Sequence, residues 1–226
     1  MSQVDYRARL QPKNINQADD ILGKRVNTNL LYPLYSTNGI LFPYTPSVST
    51  GYAAEYDPTS FIHSIYGYNA YIRSYPKTIS IDAEFTAQTN DEALYLLAVI
   101  HFFRSITKSY FGVNPYNKAG TPPPTLIFSY LGDHQFNRTP VVIKNVDYTY
   151  EANIDYVPVN TSNLTGYSTN MGVSLPKSDQ DTGYSYVPTH MTFKIELDTQ
   201  YIPIKLRNEF NLDDFREGRL MGKGYI

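Results

Sequence analysis

The stretch "TISIDAEFTAQTNDEALYLLAVIHFFRSI" (78–106) constrains the fold more than any other part of the chain. Its first residues alternate without error: Ile79, Ile81, Ala83 and Phe85 on one side, Ser80, Asp82 and Glu84 on the other. Successive side chains of a strand point to opposite faces, so this is a half-buried antiparallel strand. The period then changes. Thr89 is a good N-cap and Glu92, three residues on, closes a capping box. Asp91 and Glu92 also suit the positive end of a helix dipole. A helix follows, with Lys108 near its far end and Gly112 beyond it as the stop.

That helix is apolar nearly all round. Tyr95, Phe102, Ile106, Val99, Phe103, Leu96 and Ile100 form one wide arc on the wheel. Leu94, Leu97 and Ala98 share the remainder with His101, Arg104, Ser105 and Lys108. An ordinary surface helix needs an apolar stripe of roughly 100°, and this arc is about twice as wide. The helix is therefore expected to be sandwiched, one face on its own sheet and the surplus on something else. Leu94, Tyr95, Leu96, Val99, Ile100, Phe102, Phe103 and Ile106 are the candidates for a subunit interface.

"MTFKIELD" (191–198) is a second clean alternator, with Met191, Phe193, Ile195 and Leu197 inward and Thr192, Lys194, Glu196 and Asp198 outward. "LIFSYLG" (126–132) and "PVVIKNVDYTYE" (140–151) read as strands joined by the turn-like "DHQFNR". Two prolines cut "ILFPYTPSVS" (40–49), which restricts it to an edge strand or extended segment. "SIYGYNAYIRSY" (64–75) reads as a strand carrying tyrosines on one face. Residues 1–39 lack periodicity and read as an arm, ordered only against a partner. The low-charge stretch 152–187 is a long loop of the kind a neighbour orders. Its flanks, "DYVPV" and "YSYVP", can pair as hairpin legs. Residues 207–226 form a mixed-charge tail.

Composition narrows the function. The 226 residues include no cysteine, which excludes disulfides, thiolate metal sites and cysteine nucleophiles. A net charge of −2 argues against binding nucleic acid through overall basicity. The N-terminal residues have no apolar core of a secretory signal, and the run Ala93–Phe103 is too short to span a bilayer. Intracellular folding and no membrane contact are the expectation. Tyrosine is abundant, at 22 residues with no tryptophan, which suits cross-strand packing, protein interfaces and sugar platforms alike.

Catalytic signals are weak. His63, His101, His134 and His190 lie far apart, and His101 reads as a structural histidine rather than a base. No nucleophile elbow, phosphate loop or dinucleotide fingerprint occurs. Asp82 with Glu84 and Glu196 with Asp198 are paired strand carboxylates. A glycosidase would need two such groups facing across a cleft, and the solvated side of a strand is the preferred reading. No cofactor, no metal and no enzyme activity are expected.

The clean strand running into the capped helix, then "PPPTLIFSYLG", "PVVIKNVDYTYEANIDYVPV" and "VPTHMTFKIELD", resembles the tube-like proteins at the baseplate end of contractile bacteriophage tails. These are tail-tube junction or tube-initiator subunits, relatives of the tail-tube protein. The resemblance covers residues 40–206 and rests on apolar spacing rather than chemical signatures. It implies a mainly β domain, an antiparallel barrel or sandwich packed by one main helix; the extended arms read from residues 1–39 and 207–226 have no counterpart in the family. It further implies a ring, six copies in the family, that joins the hub to the tube, templates tube assembly and lets DNA pass. The partners implied are further copies of the chain, the tail-tube protein, the hub and other baseplate or sheath components. The place implied is the virion tail, assembled in the host cytoplasm. Asp82, Glu84, Lys194, Glu196 and Asp198 would line the channel, where carboxylates repel phosphate and prevent trapping. The alternatives are a tube subunit or hub component of the same tail, or a carbohydrate-binding or cell-wall-acting module.

Overall fold

A computed structural model describes residues 6–111, 120–161 and 184–226. The chain runs through β1 (Arg9–Pro12), α1 (Ile15–Leu22), β2 (Ile40–Leu41), β3 (Ser47–Ser49), β4 (Tyr52–Thr59), β5 (Tyr68–Pro76), β6 (Ile79–Thr86) and α2 (Asn90–Ile106). There follow β7 (Leu126–Tyr130), β8 (Phe136–Tyr148), β9 (Tyr156–Asn160), β10 (Tyr184–Pro188), β11 (His190–Thr199), α3 (Pro203–Glu209) and α4 (Leu212–Arg216). Short 3-10 turns lie at Tyr32–Tyr35 and Met221–Lys223.

The two alternators pair with each other. Phe85 stands across from Met191, Ala83 from Phe193 and Ile81 from Ile195, so both apolar rows face one way. Around them a seven-stranded antiparallel sheet forms in the order β2-β1-β7-β8-β11-β6-β3. Pro43 and Pro46 split the 40–49 run into β2 and β3, which become the two edges. Both are very short, which limits the free backbone an edge exposes. The fold is mainly β and antiparallel; among the described residues α2 is the main helix, three short ones accompany it, and the sheet stays open instead of closing into a barrel.

Helix α2 begins where its sequence says. The Thr89 hydroxyl accepts from the Glu92 N–H and the Glu92 carboxylate accepts from the Thr89 N–H, both at 3.3 Å. The helix lies on the apolar side of the sheet, where Phe193 is ringed by Phe85, Phe103 and Tyr148 at 5.2, 5.5 and 5.5 Å. Its opposite side is covered too. β9 and β10 pair as a separate hairpin over it, contributing Val159 and Val187 to the same core, and the first 3-10 turn adds Leu34. Tyr95 is tied down at its polar tip, accepting from the Leu41 N–H at 2.9 Å and donating to the Leu41 carbonyl at 3.3 Å.

This corrects the expected interface. Leu96, Val99, Ile100, Phe102, Phe103 and Ile106 are each at most 5% exposed, and Leu94 and Tyr95 pack half-buried against the same core. The surplus apolar arc is hidden by the chain itself. The cover comes from segments read as an arm and a loop, so the sequence-based count left it out.

The expected arm, 1–39, is packed onto the domain by the chain itself over its described residues, 6–39. β1 inserts between β2 and β7, and Ala8, Leu10, Leu22, Leu34 and Ile40 are buried. A four-residue strand and an eight-residue helix are too short to show a period, which is why they escape detection. The expected hairpin legs do pair, from Tyr156 against Pro188 to Asn160 against Tyr184, while 162–183 lie outside the described residues, as does Gly112. The tail folds back, burying Leu220 and Tyr225.

Phe193→Ala removes the ring at the centre of the aromatic cluster and should cost about 3–5 kcal/mol. Thr89→Ala removes only the cap and should cost about 1 kcal/mol. Chemical denaturation of both variants reads the difference; equal losses would place the core elsewhere.

Candidate assembly surface

With α2 enclosed, a large apolar surface that stays uncovered lies on β4, β5 and the turn that joins them. Among the described residues these strands pair only with each other, from Tyr52 across from Pro76 to Thr59 across from Tyr68, and do not join the main sheet. Sequence explains why the ribbon has no buried side. In 52–75 the large apolar residues fall on both parities: Tyr52, Tyr56, Ile62, Tyr66, Tyr68 and Ile72 are even, Phe61, Ile65, Tyr71 and Tyr75 odd. A strand with apolar groups on both faces is suited to cover on both sides. Here neither face is covered.

The ribbon supports itself by cross-strand pairs. Tyr56 and Tyr71 meet edge to face at 5.8 Å. Glu55 and Arg73 stand opposite and bond at 2.6 Å, and Arg73 lies over the Tyr75 ring at 5.3 Å. The Glu55 carboxylate, by that hydrogen bond and its charge, raises the Arg73 pKa further. An irregularity between Glu55 and Tyr56 leaves Ile72 without a partner across the ladder, which increases the local twist. Such pairs stabilise a two-stranded ribbon only marginally in water.

The tip is the most exposed part. Phe61, Ile62, Ile65 and Tyr66 are 66%, 89%, 91% and 84% accessible. At the base, Tyr52 and Tyr75 face Leu206, Phe210, Phe215 and Tyr225 across an apolar groove of about 700 Å³. Ile202 and Ile204 at the start of α3 and Leu212 of α4 are exposed as well. Large apolar patches on a protein surface mark contacts with other molecules.

The expected channel residues occupy one face. Asp82, Glu84 and Lys194 are exposed, Glu196 and Asp198 half-exposed, all on the side of β6 and β11 away from α2. The register places Lys194 between Asp82 on β6 and Asp147 on β8. Asp198 accepts from the Thr78 hydroxyl at 2.7 Å, and His190 comes within 3.8 Å of Glu84. Glu84 stands across from Thr192 and Glu196 across from Ser80, so these two carboxylates share an open face instead of confronting each other over a cleft. His101 points out from α2. Partial burial, then the Arg104 and Lys108 cations, hold its imidazole below the ordinary histidine value.

Among the described residues, no group of three or more potential ligands is placed to hold a metal ion, and no helix is long and apolar enough to cross a membrane. No protein-family model matches the chain, and a search of the curated proteins finds no significant relative.

The contrast between ribbon and helix is measurable in the isolated protein. Ile62→Asp should change stability by no more than about 0.5 kcal/mol, because the side chain is already in water. Ile100→Asp buries an unpaired carboxylate and should cost more than about 4 kcal/mol. Thermal unfolding separates them; a large loss from Ile62→Asp would mean that the ribbon is packed.

Proposed function

We propose that this chain is a structural assembly subunit, forming a ring at the baseplate end of a contractile phage tail. In this reading it joins the hub to the tail tube, templates tube assembly, and leaves a channel for DNA. Its partners are further copies of itself, six to a ring, with the tube protein and baseplate components above and below. It assembles in the host cytoplasm and is carried in the virion.

The observation that carries the reading is the bare β4–β5 ribbon. A protein working alone gains nothing from holding Phe61, Ile62, Ile65 and Tyr66 in water. An antiparallel sheet packed by one long helix agrees in its coarse outline with the fold the resemblance implies, although the barrel form does not appear. The carboxylate face of β6 and β11 is consistent with a lining that phosphate slides past. Helix α2 no longer supports the reading, since the chain hides it.

Mixing the protein with tube and hub components and imaging the products by electron microscopy tests this. Wild type should enter rings of six, and a variant with Ile62→Asp and Ile65→Asp should remain monomeric while keeping its melting temperature. Rings formed equally well by that variant, or a wild type that stays monomeric with its partners present, would overturn the proposal. Exposed Tyr66 and Tyr68 favour one second reading, a sugar platform. Binding on a glycan array, lost on Tyr66→Ala or Tyr68→Ala, would establish it instead.

A further inference from the structure

The C-terminal segment builds a pocket that the ring reading does not use. After α4 the chain returns to β8 and is fixed there by Gly224. Its φ of 83° is left-handed, and a Cβ at this position would lie 2.6 Å from the Arg138 carbonyl oxygen, so only glycine fits. Tyr201 clamps the same turn, donating to the Gly224 carbonyl at 3.0 Å and accepting from the Ile226 N–H at 3.3 Å.

Arg138 is also specially held. It has φ 55°, uncommon for a residue with a side chain, and lies where the β7–β8 register shifts between Phe128 and Tyr130. Bulges of this kind re-aim a side chain. Its N–H bonds to the Ser129 hydroxyl at 3.3 Å. Arg138 joins Lys13, Lys205 and Lys223 around a pocket of about 310 Å³, in which Glu209 supplies the one lining carboxylate.

Four cations from four separate parts of the chain thus converge on one hollow, in a protein whose net charge is −2. Among the described residues, none of the four has a carboxylate within 4.0 Å. Four cations against the single carboxylate of Glu209 leave the hollow positive, and an anionic ligand is attracted to it.

We propose that this pocket docks an acidic polypeptide segment, two or three neighbouring carboxylates seated among Lys13, Arg138, Lys205 and Lys223. Exposed Ile202 on the lining offers a contact for a flanking apolar side chain. Nucleic acid fits less well. The two tyrosine rings at the pocket, Tyr201 and Tyr225, stack on each other at 5.2 Å instead of offering a platform to a base. This site is independent of the ring reading.

Fluorescence anisotropy with fluorescein-labelled hexaglutamate, titrated with the full chain at low ionic strength, tests it. Wild type should bind saturably and lose affinity as salt is added. Arg138→Gly keeps the left-handed backbone while deleting the guanidinium. Combined with Lys223→Ala it should weaken binding by at least about tenfold with the melting temperature unchanged. If that variant is unstable, Lys205→Ala with Lys223→Ala, both at exposed positions, should give a loss of the same order. Absence of saturable binding, affinity unchanged in a folded variant, or tighter binding of a labelled single-stranded DNA displaced by the same substitutions would overturn the proposal.

Discussion

The fold depends on how the chain encloses α2. That helix is apolar on too many sides for one sheet to hide, so a second layer must close over it. The layer is assembled from distant pieces: the 3-10 turn at Tyr32–Tyr35, and the β9–β10 hairpin, which brings Val159 and Val187 onto the helix. The Tyr95 hydroxyl links helix and N-terminal region by bonding the backbone of Leu41. Because the cover is intramolecular, the helix is a structural centre and leaves the task of meeting other molecules to surfaces elsewhere.

Two such surfaces differ in chemistry. The β4–β5 ribbon is apolar on both faces and stands apart from the main sheet, with a groove at its base formed by the C-terminal helices. The hollow beside β8 is polar, cationic and compact, and owes its shape to Gly224 and the unusual backbone of Arg138. Apolar burial supplies affinity without direction, whereas fixed charges select orientation and partner. A subunit that must join several neighbours in a defined order can use one of each.

Sequence legibility follows the length of the pattern. The strands around Ile81 and Phe193 and the cap at Thr89 were readable because each shows a full period or a local hydrogen-bonded motif. The edge placement of β2 and β3 followed from Pro43 and Pro46. β1 and α1 were not readable, since four and eight residues give too little repeat. The larger error was in the site. Width of an apolar arc says how much must be covered, not by what, so Val99, Ile100 and Phe103 read as an interface when they are core. The signal that locates the exposed ribbon was present in the sequence as apolar residues on both parities of 52–75. The cationic pocket had none, because residues 13, 138, 205 and 223 meet only through tertiary folding.

Hydrogen–deuterium exchange on the isolated chain and on the chain within an assembled particle separates the two locations directly. The account predicts that α2, residues 90–106, is strongly protected in both states, and that 52–76 exchanges freely alone and becomes protected on assembly. Protection gained across α2 while the ribbon stays open would contradict it.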